Sequence, residues 1–407
     1  MTKSINSNYK FCILALLAAT SMFVVAMPTM SMPVLFDEIV EDLGLTLMQI
    51  GIVWGVLPLG GIVFVLIGGM LGDRFGAKNV IGVTCLLAGL TGAARGFSED
   101  FFTLMMTMFL FGLTSSIMTA VVPKAIGTWF QGRQLAIASS IGAVSMAIGF
   151  TLGTFLSATV FSPLLGGWRN VLFTYGAISI ALGLLWFLTH GNPGKFESAD
   201  YPLSSLPFRQ TISHVSHIKS VWLLTIILLG HSGCVQGMLG YLPLYLRQNG
   251  WTAVSADSAA ASFHVASLIA TIPIALLSNK LTSRKFIFYA TMLMTAIGVA
   301  LLSMFGGSTV WLCVIIAGCF RDGFMAIFMT TLIETEGIGT RYAGTALGLI
   351  STFARLGEII SPPIGNSLGN INASLPFLFW SFFAVVALVA SYFLKETAKR
   401  EVNLHPQ

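Results

Sequence analysis

The chain has 407 residues, of which 55% are hydrophobic and only 9% charged, and its mean hydropathy is +0.85. Soluble domains carry about 25% charged residues, so this composition excludes a soluble protein of this size. Unbroken apolar stretches of about 20 residues also exclude a membrane β-barrel, whose strands alternate apolar and polar residues, and favour a multi-span helical membrane protein.

The net charge of +5 and the isoelectric point near 9.0 would suit a nucleic-acid-binding protein. The basic residues are instead spread over many short loops between apolar stretches, so nucleic-acid binding is rejected. The chain also has no glycine loop with Walker spacing and no cluster with metal-ligand spacing. We therefore predict neither an enzyme nor an ATP-driven pump, and no cofactor or metal.

Apolar stretches long enough to cross the bilayer follow one another along the whole chain. The first is interpreted as a helix rather than a cleaved signal peptide, because a series of further spans follows it. An even number of spans places both termini on one side of the membrane. The twelve predicted spans are 11–34, 47–71, 80–97, 101–123, 135–160, 170–190, 220–246, 258–278, 286–305, 310–334, 344–368 and 375–395.

Loop charges predict the orientation. With the termini inside, the inner segments hold sixteen Lys and Arg residues, whereas the outer segments hold only Arg95, Arg169 and Arg247. Cytoplasmic loops carry the excess of basic residues in membrane proteins. We therefore predict a multi-pass protein of the inner (plasma) membrane with both termini in the cytoplasm.

Residues 191–219 form the longest polar stretch and are predicted to be a cytoplasmic linker, too short for a folded domain. They separate an N-terminal six-helix bundle, 1–190, from a C-terminal bundle with a short cytoplasmic tail, 220–407. The basic turn at Asp73 has a counterpart 206 residues later, and Arg133 has one 208 residues later. This common shift predicts two pseudo-symmetric bundles derived from one duplicated unit.

Three motifs carry a resemblance to a known family. With twelve spans and a central linker, they make the chain similar to the major facilitator superfamily of secondary transporters over essentially its whole length. The resemblance implies an all-α membrane fold in which helices 1, 4, 7 and 10 line a central cavity and the two bundles rock around it. The motifs are Gly69-Met70-Leu71-Gly72-Asp73-Arg74-Phe75-Gly76-Ala77-Lys78, Gly167-Trp168-Arg169, and Pro123-Lys124 followed by Trp129-Phe130.

The resemblance also implies a conformational latch between helices 2 and 3. Glycine permits close helix approach and a tight turn. Asp73 is expected to face the positive N-terminus of helix 11, near Gly344, and to hold the cytoplasmic side shut in the outward-open state. The alternative is that these are solvated loop charges. The latch residues are Gly69, Asp73, Arg74, Gly76 and Lys78.

The sequence departs from the family pattern at two positions. The arginine that many members carry in helix 4 corresponds to Met108, and the proline of the helix 5 motif of drug antiporters corresponds to Phe150. Both departures count against a multidrug proton antiporter.

Four charges interrupt apolar runs of the C-terminal half: Arg321 and Asp322 in helix 10, and Arg355 and Glu358 in helix 11. A charged side chain at mid-bilayer costs about 2.5–3.5 kcal/mol on insertion scales, so such residues face a polar cavity or pair with each other. We predict that Arg355, with Arg321, binds an anionic group of the substrate, because a guanidinium fork suits a carboxylate. The alternative is a purely structural salt-bridge cluster.

Three further residues are candidate substrate contacts: His231, Gln236 and Tyr241, all in helix 7. Packing explains a buried histidine at least as well as ligand binding, and an interfacial aromatic belt would explain Tyr241. The N-terminal half offers hydroxyl groups but no charged residue at mid-depth, so the substrate charge is expected to be handled by the C-terminal half.

Glu358 and Asp322 are the carboxylates at mid-membrane, and we predict that they carry the coupled proton. A desolvated carboxyl group holds its proton more readily, while a neighbouring arginine opposes protonation. A substrate that draws Arg355 away from Glu358 would therefore favour its protonation, so that proton and anion enter together.

The predicted function is secondary active transport of a small, carboxylate-like organic anion by alternating access, with proton symport, in a monomer within the lipid bilayer. One alternative is a carrier of organic cations, zwitterions or drugs that uses Asp322, Glu358 and aromatic faces. Another is a receptor or sensor that no longer cycles, against which the intact latch sequence argues.

Overall fold

The computed structural model describes residues 9–189, 208–280 and 284–394, and the regular structure of these residues is helical. This part of the chain contains ten helices that are long and apolar enough to cross a membrane, and two shorter apolar helical stretches. Together they give the twelve segments that the hydropathy pattern predicts. The all-α membrane fold is therefore confirmed.

The helices follow one another with short connections. In the N-terminal half they are α1 Tyr9–Leu43, α2 Leu47–Gly60 continued by Gly61–Phe75, α3 Ala77–Phe97, α4 Phe101–Trp129, α5 Gly132–Leu165 and α6 Trp168–Leu188. In the C-terminal half they are α7 Lys219–Gln248, α8 Ala253–Lys280, α9 Arg284–Leu301, α10 Thr309–Glu334, α11 Gly339–Leu368 and α12 Leu375–Tyr392.

The described part of the predicted linker is not all loop. Phe208–Ser216 form a short helix, the linker helix, and α7 begins at Lys219. The linker helix packs on the C-terminal half, where the His214 ring lies 4.6 Å from that of Tyr342 and its Nε2 lies 3.0 Å from the Gly337 carbonyl oxygen. Residues 191–207 of the predicted linker lie outside the described residues.

Alternating helix directions define two ends of the molecule. We name the end at which α6 finishes and α7 begins the linker end, and the other the far end. Side chains from distant segments meet at the linker end: Lys10 Nζ donates to Gln134 Oε1 at 2.9 Å, and Lys285 Nζ donates to the Tyr392 carbonyl at 2.5 Å. Both described termini, Tyr9 and the end of α12, lie at this end.

At the far end, α1 continues to Leu43, well past the predicted boundary at residue 34. The acidic residues that end the apolar stretch do not end the helix, because they find partners on a neighbouring segment. Asp42 accepts hydrogen bonds from Arg169 and, at 3.1 Å, from Trp168 Nε1. These contacts explain the Gly167-Trp168-Arg169 motif, which ties the start of α6 to the end of α1.

Three apolar cores show how the halves are joined. One core mixes residues of both halves at the far end, among them Phe36, Trp54 and Trp380. A second core, around Phe328, contains C-terminal residues, and a third, around Trp186, contains N-terminal residues. The halves therefore share a core toward the far end and keep separate cores toward the linker end.

Close backbone approach seals the far end. A Cβ atom at Gly51 of α2 would lie 2.6 Å from the Pro362 carbonyl oxygen of α11. Trp54 Nε1 donates to the Gln236 carbonyl at 2.8 Å, and Asn366 Nδ2 donates to the Leu47 carbonyl at 3.2 Å. The two bundles are thus in contact at the far end, and the space between them opens toward the linker end.

Candidate functional site

The first part of the site is the Arg355–Glu358 pair, one turn apart on α11. Arg355 Nη1 lies 4.0 Å from Glu358 Oε2, and both side chains remain about one-quarter exposed. The same Nη1 donates to the Pro58 carbonyl of α2 at 3.3 Å. Arg355 therefore reaches across the interface between the halves and is held there by a backbone group.

Local geometry of α2 makes room for this arginine. The helix changes to a tighter 3₁₀ turn at Leu57–Gly60, and this turn contains Pro58, which cannot donate a backbone hydrogen bond. The guanidinium group occupies the space where a Cβ atom at Gly61 would lie. Gly61 is thus a site residue that the sequence analysis missed.

The second part of the site is Arg321–Asp322, at a break in α10. The helix stops at Gly318 and resumes at Arg321, so that both charges begin its second part. Arg321 Nη1 donates to Asp322 Oδ1 at 3.2 Å, and the Asp322 backbone N–H donates to Ser267 Oγ at 3.1 Å. The guanidinium carbon lies 5.5 Å from the centre of the Phe150 ring of α5, so Arg321 also contacts the N-terminal half.

Two histidines lie beside these charges, and the positive charge of Arg321 acts on both imidazole rings. His231 and His264 are 4% and 1% exposed. In the described part of the structure, His231 Nδ1, both ring nitrogens of His264 and Gln236 Nε2 have no hydrogen-bond partner. Buried polar atoms are nearly always paired, so the two histidines supply unused hydrogen-bonding capacity next to Arg321, and Gln236 supplies it elsewhere on α7.

The structure does not bring Tyr241 to this site. Its ring is fully buried in the far-end core, 5.8 Å from that of Phe377 and 5.7 Å from that of Trp380, and its hydroxyl donates to the Ala373 carbonyl at 3.2 Å. It packs against α12 and the loop before it because its position on α7 turns it away from the space between the halves.

The residues assigned to the latch lie at the linker end. Asp73 pairs with Lys124 of α4, whose Nζ also donates to the Gly69 carbonyl at 3.3 Å. A Cβ atom at Gly69 or Gly344 would meet no atom within 4 Å, so the expected approach of α2 to α11 is not made in this conformation. Gly76 has φ +80°, Lys78 donates to the Thr189 carbonyl, and Arg74 lies against the Phe75 ring.

Arg95 was counted among the charges of the outer segments, and the structure shows that its side chain is not solvated there. Its side chain is fully buried at the end of α3, with the guanidinium carbon 4.0 Å from the centre of the Phe111 ring. Nη1 donates to the Pro28 carbonyl at 3.0 Å and Nε to the Gly92 carbonyl at 3.1 Å. The N-terminal half therefore does contain a buried cation. The sequence could have indicated this burial, because Arg95 lies inside the predicted third span, 80–97.

Arg247 and Asp257 were also expected as outer loop charges, but they form a buried ion pair at the far end. Arg247 Nη2 lies 2.8 Å from each carboxylate oxygen of Asp257, which is fully buried. Thr159 of α5 donates to Asp257 Oδ2 at 2.8 Å. We name these three residues the far-end clamp, because the threonine belongs to one half and the ion pair to the other.

These features define a class of protein: a helical membrane carrier of two bundles, with charged side chains at mid-depth between them. The family model for the Major Facilitator Superfamily matches residues 11–346. The chain belongs to the Major Facilitator Superfamily. It is therefore a multi-pass membrane transporter and not an enzyme, as the sequence predicted.

Known members of this family resemble the chain over most of its length. It is 25% identical over 370 residues to the 3-(3-hydroxy-phenyl)propionate transporter of Escherichia coli (strain K12), covering 86% of this chain and 87% of the relative. It is 25% identical over 414 residues to a probable galactarate/D-glucarate transporter of Bacillus subtilis (strain 168), covering 90% and 88%. The crystal structure of the nucleoside transporter NupG superposes with a TM-score of 0.77 at 16% identity, covering 93% of this chain and 98% of that one.

Proposed function

We propose that this protein carries a small organic anion across the inner membrane by alternating access, coupled to proton symport. In this proposal the linker end faces the cytoplasm, both termini are cytoplasmic, and the carrier works as a monomer. The observation on which the proposal rests is the position of Arg355 and Arg321. Each lies between the halves, each has a carboxylate neighbour on its own helix, and each contacts the opposite half.

The geometry of Arg355 favours a binding role. Its distance of 4.0 Å from Glu358 is an ion-pair distance but too long for a hydrogen bond, and its bond to the Pro58 carbonyl is long at 3.3 Å. Among the described residues, the Pro58 carbonyl is the one hydrogen-bond acceptor of the guanidinium group, so its other N–H donors can form a bidentate contact with a carboxylate. An arginine with a purely structural role would be expected to form hydrogen bonds with more of its N–H groups.

The relatives support an organic acid as the solute. Both curated relatives described above are named for carboxylic acids, one an aromatic monoacid and the other a sugar diacid. A carboxylate is the group common to these solutes, and it is the group that a guanidinium fork recognises best.

For the coupled proton we propose Glu358 as the carrier, with Asp322 as the second carboxylate. Glu358 lies in the field of both Arg355 and Arg321. The positive charge of Arg355 stabilises the ionised form of Glu358. When a substrate carboxylate binds Arg355, this stabilisation weakens, and protonation of Glu358 becomes more favourable in a site of low dielectric. The latch residues around Asp73 would then close the linker end in the opposite conformation.

The experiment compares Arg355→Lys and Arg355→Gln with the double variant Arg355→Gln/Glu358→Gln, by uptake of 3-(3-hydroxyphenyl)propionate into proteoliposomes. Loss of a bidentate charged contact should weaken uptake by about 10- to 100-fold in all three variants. In the double variant no unpaired charge remains, but the proposed proton carrier is also removed, so it is compared with Glu358→Gln alone in counterflow exchange; normal folding with exchange lost only in the double variant would separate binding from structure.

Arg133→Lys, at an exposed position of the linker end, is the matched control and should leave uptake unchanged. Normal uptake by the double variant would overturn the assignment of Arg355 to anion binding. Uptake of quaternary amines in preference to carboxylates by the unmodified protein would overturn the anion class itself and favour an organic-cation carrier.

A further inference from the structure

We infer that the solute is an amphipathic monoanion with an apolar, ring-sized body, and that a polyhydroxylated acid does not fit. This inference rests on the proposed function and narrows its substrate class. The carboxylate would lie on the C-terminal half at the arginines, and the apolar body would lie against the N-terminal half.

The first observation is a continuous face of α5. Ser139, Ala143, Met146 and Phe150 follow at intervals of four, three and four residues, so they lie on one side of the helix. Phe150 ends this row against the guanidinium group of Arg321 at 5.5 Å. The row therefore runs from the linker end directly to the charged site, and we name it the α5 face.

The second observation is a cavity of about 300 Å³ in front of the α5 face. A benzene ring occupies an apolar protein cavity of about 150 Å³, so this space holds an aromatic ring with a short side chain. The cavity lies between α1, α4 and α5. Its lining residues on α1 and α4 are Ser21, Val25, Met118, Thr119, Val122, Pro123 and Ile126.

The third observation is that the two hydroxyl groups which α1 and α4 contribute to the lining already donate to backbone carbonyls. Ser21 Oγ donates to the Leu17 carbonyl at 3.1 Å, and Thr119 Oγ1 donates to the Ser116 carbonyl at 2.8 Å. None of the residues that line the cavity is charged. Each hydroxyl of a sugar acid that loses water here without a new partner would weaken binding by about 5- to 150-fold.

The opposite wall has the complementary character. The unpartnered ring nitrogen atoms of His231 and His264 lie on the C-terminal half and feel the charge of Arg321, and the unpartnered Gln236 Nε2 belongs to the same half. Polar capacity is therefore concentrated on one side of the site and apolar surface on the other. A solute with a charged head and an apolar body matches this division, whereas a molecule with hydroxyl groups along its whole length does not.

A ligand panel tests the class. Purified full-length protein would be titrated calorimetrically with 3-phenylpropionate, 3-(3-hydroxyphenyl)propionate and D-glucarate. We expect the two aromatic acids to bind at least tenfold more tightly than D-glucarate. Equal or tighter binding of D-glucarate would overturn this inference but leave the proposed anion carrier intact. Absence of binding for all three acids would overturn both.

Variants of the α5 face test the location. Ala143→Phe fills the cavity and should weaken 3-phenylpropionate binding at least tenfold. Val144→Phe is the matched control, because Val144 is an exposed residue of the same helix turn, about 100° around the helix from Ala143, and does not line this cavity, so the variant should bind normally. Unchanged binding by Ala143→Phe would place the apolar body elsewhere and overturn the location.

Met146→Ala provides a second test that needs no added bulk. The shorter side chain enlarges the cavity, so affinity for 1-naphthylacetate should rise at least threefold relative to 3-phenylpropionate. A ratio equal to that of the unmodified protein would contradict the assignment of Met146 to the binding wall.

Discussion

At the scale of single residues, charges inside apolar runs are the part of the site that the sequence predicts. Arg321, Asp322, Arg355 and Glu358 stand out because the bilayer makes an unexplained charge costly. The sequence does not predict that Gly61 shapes the site. Its role depends on the direction in which the Arg355 side chain extends across the interface between the halves. Residue spacing along a single helix does not predict this direction.

Glu358→Gln separates proton coupling from solute binding. The amide keeps the size of the carboxylic acid but neither binds nor releases a proton. We expect counterflow exchange of 3-(3-hydroxyphenyl)propionate to persist, while uptake driven by an imposed pH gradient falls at least tenfold. Both are measured in proteoliposomes, with Asp322→Asn as the companion variant. Unchanged pH-driven uptake would exclude Glu358 as the proton carrier.

Alanine substitutions at two glycines near the site should have opposite effects on anion binding and on stability. A methyl group at Gly61 meets the far end of the Arg355 side chain, which can move, so Gly61→Ala should fold normally and weaken anion binding about tenfold. A methyl group at Gly112 meets the Leu57 backbone carbonyl, which cannot move without shifting α2, so Gly112→Ala should lower stability by about 1–3 kcal/mol. Thermal unfolding and calorimetric titration of both variants provide the check; normal binding by Gly61→Ala would contradict the geometry described here.

At the scale of elements, the positions of the helices could be predicted and their irregularities could not. The membrane requires about 20 apolar residues per span, so the predicted spans overlap all of α1 to α12, but they do not include the linker helix. The tight turn at Leu57–Gly60, the break of α10 before Arg321, and the wide π-helical turns Ser21–Ala26 and Ser157–Phe161 were not predicted. Such irregular turns depend on contacts between helices, and they concentrate around functional sites.

Contact between α1 and α5 depends on small residues. A Cβ atom at Gly149 would lie 2.6 Å from the Cβ atom of Ala26, and one at Gly153 would lie 2.8 Å from the Met27 carbonyl oxygen. Gly149→Val should therefore push the helices apart and lower the thermal midpoint by several degrees. Gly127→Ala in α4 is the control: its Cβ atom meets nothing within 4 Å, and the gain in helix propensity of about 0.5–1 kcal/mol should keep the midpoint equal or higher. Equal midpoints for Gly149→Val and the unmodified protein would show that this contact does not limit stability.

At the scale of the whole molecule, the shared core and the far-end clamp hold one side of the carrier shut. The clamp was not predicted because Arg247 and Asp257 lie in a polar turn of the sequence, where charges are normally solvated. Thr159, about 100 positions away in the chain and in the other half, donates a hydrogen bond to this pair. The pattern of neighbouring residues in the sequence cannot predict such a contact. The clamp must separate whenever the far end opens.

Thr159→Val tests the clamp. It removes the hydrogen bond between the halves and leaves the Arg247–Asp257 pair intact within the C-terminal half, so the population open at the far end should increase. Spin labels at the exposed positions Met48 and Ile371, with Cys12 replaced by serine, report the separation by double electron–electron resonance. Thr159→Ser keeps the donor and should match the unmodified protein. A distance distribution for Thr159→Val identical to that of Thr159→Ser would show that the clamp does not hold the far end.

The bond from Arg355 to the Pro58 carbonyl has a consequence for how the empty carrier behaves. A backbone oxygen of the protein already accepts one N–H of the guanidinium group to which we assign the solute, so a carboxylate that binds through this N–H must displace an internal competitor. Equilibrium affinity would then understate the intrinsic attraction between arginine and anion by the strength of that competition. When the solute leaves, the Pro58 carbonyl can again accept the hydrogen bond from Arg355. This would speed solute release and weaken the binding of other anions to the empty site.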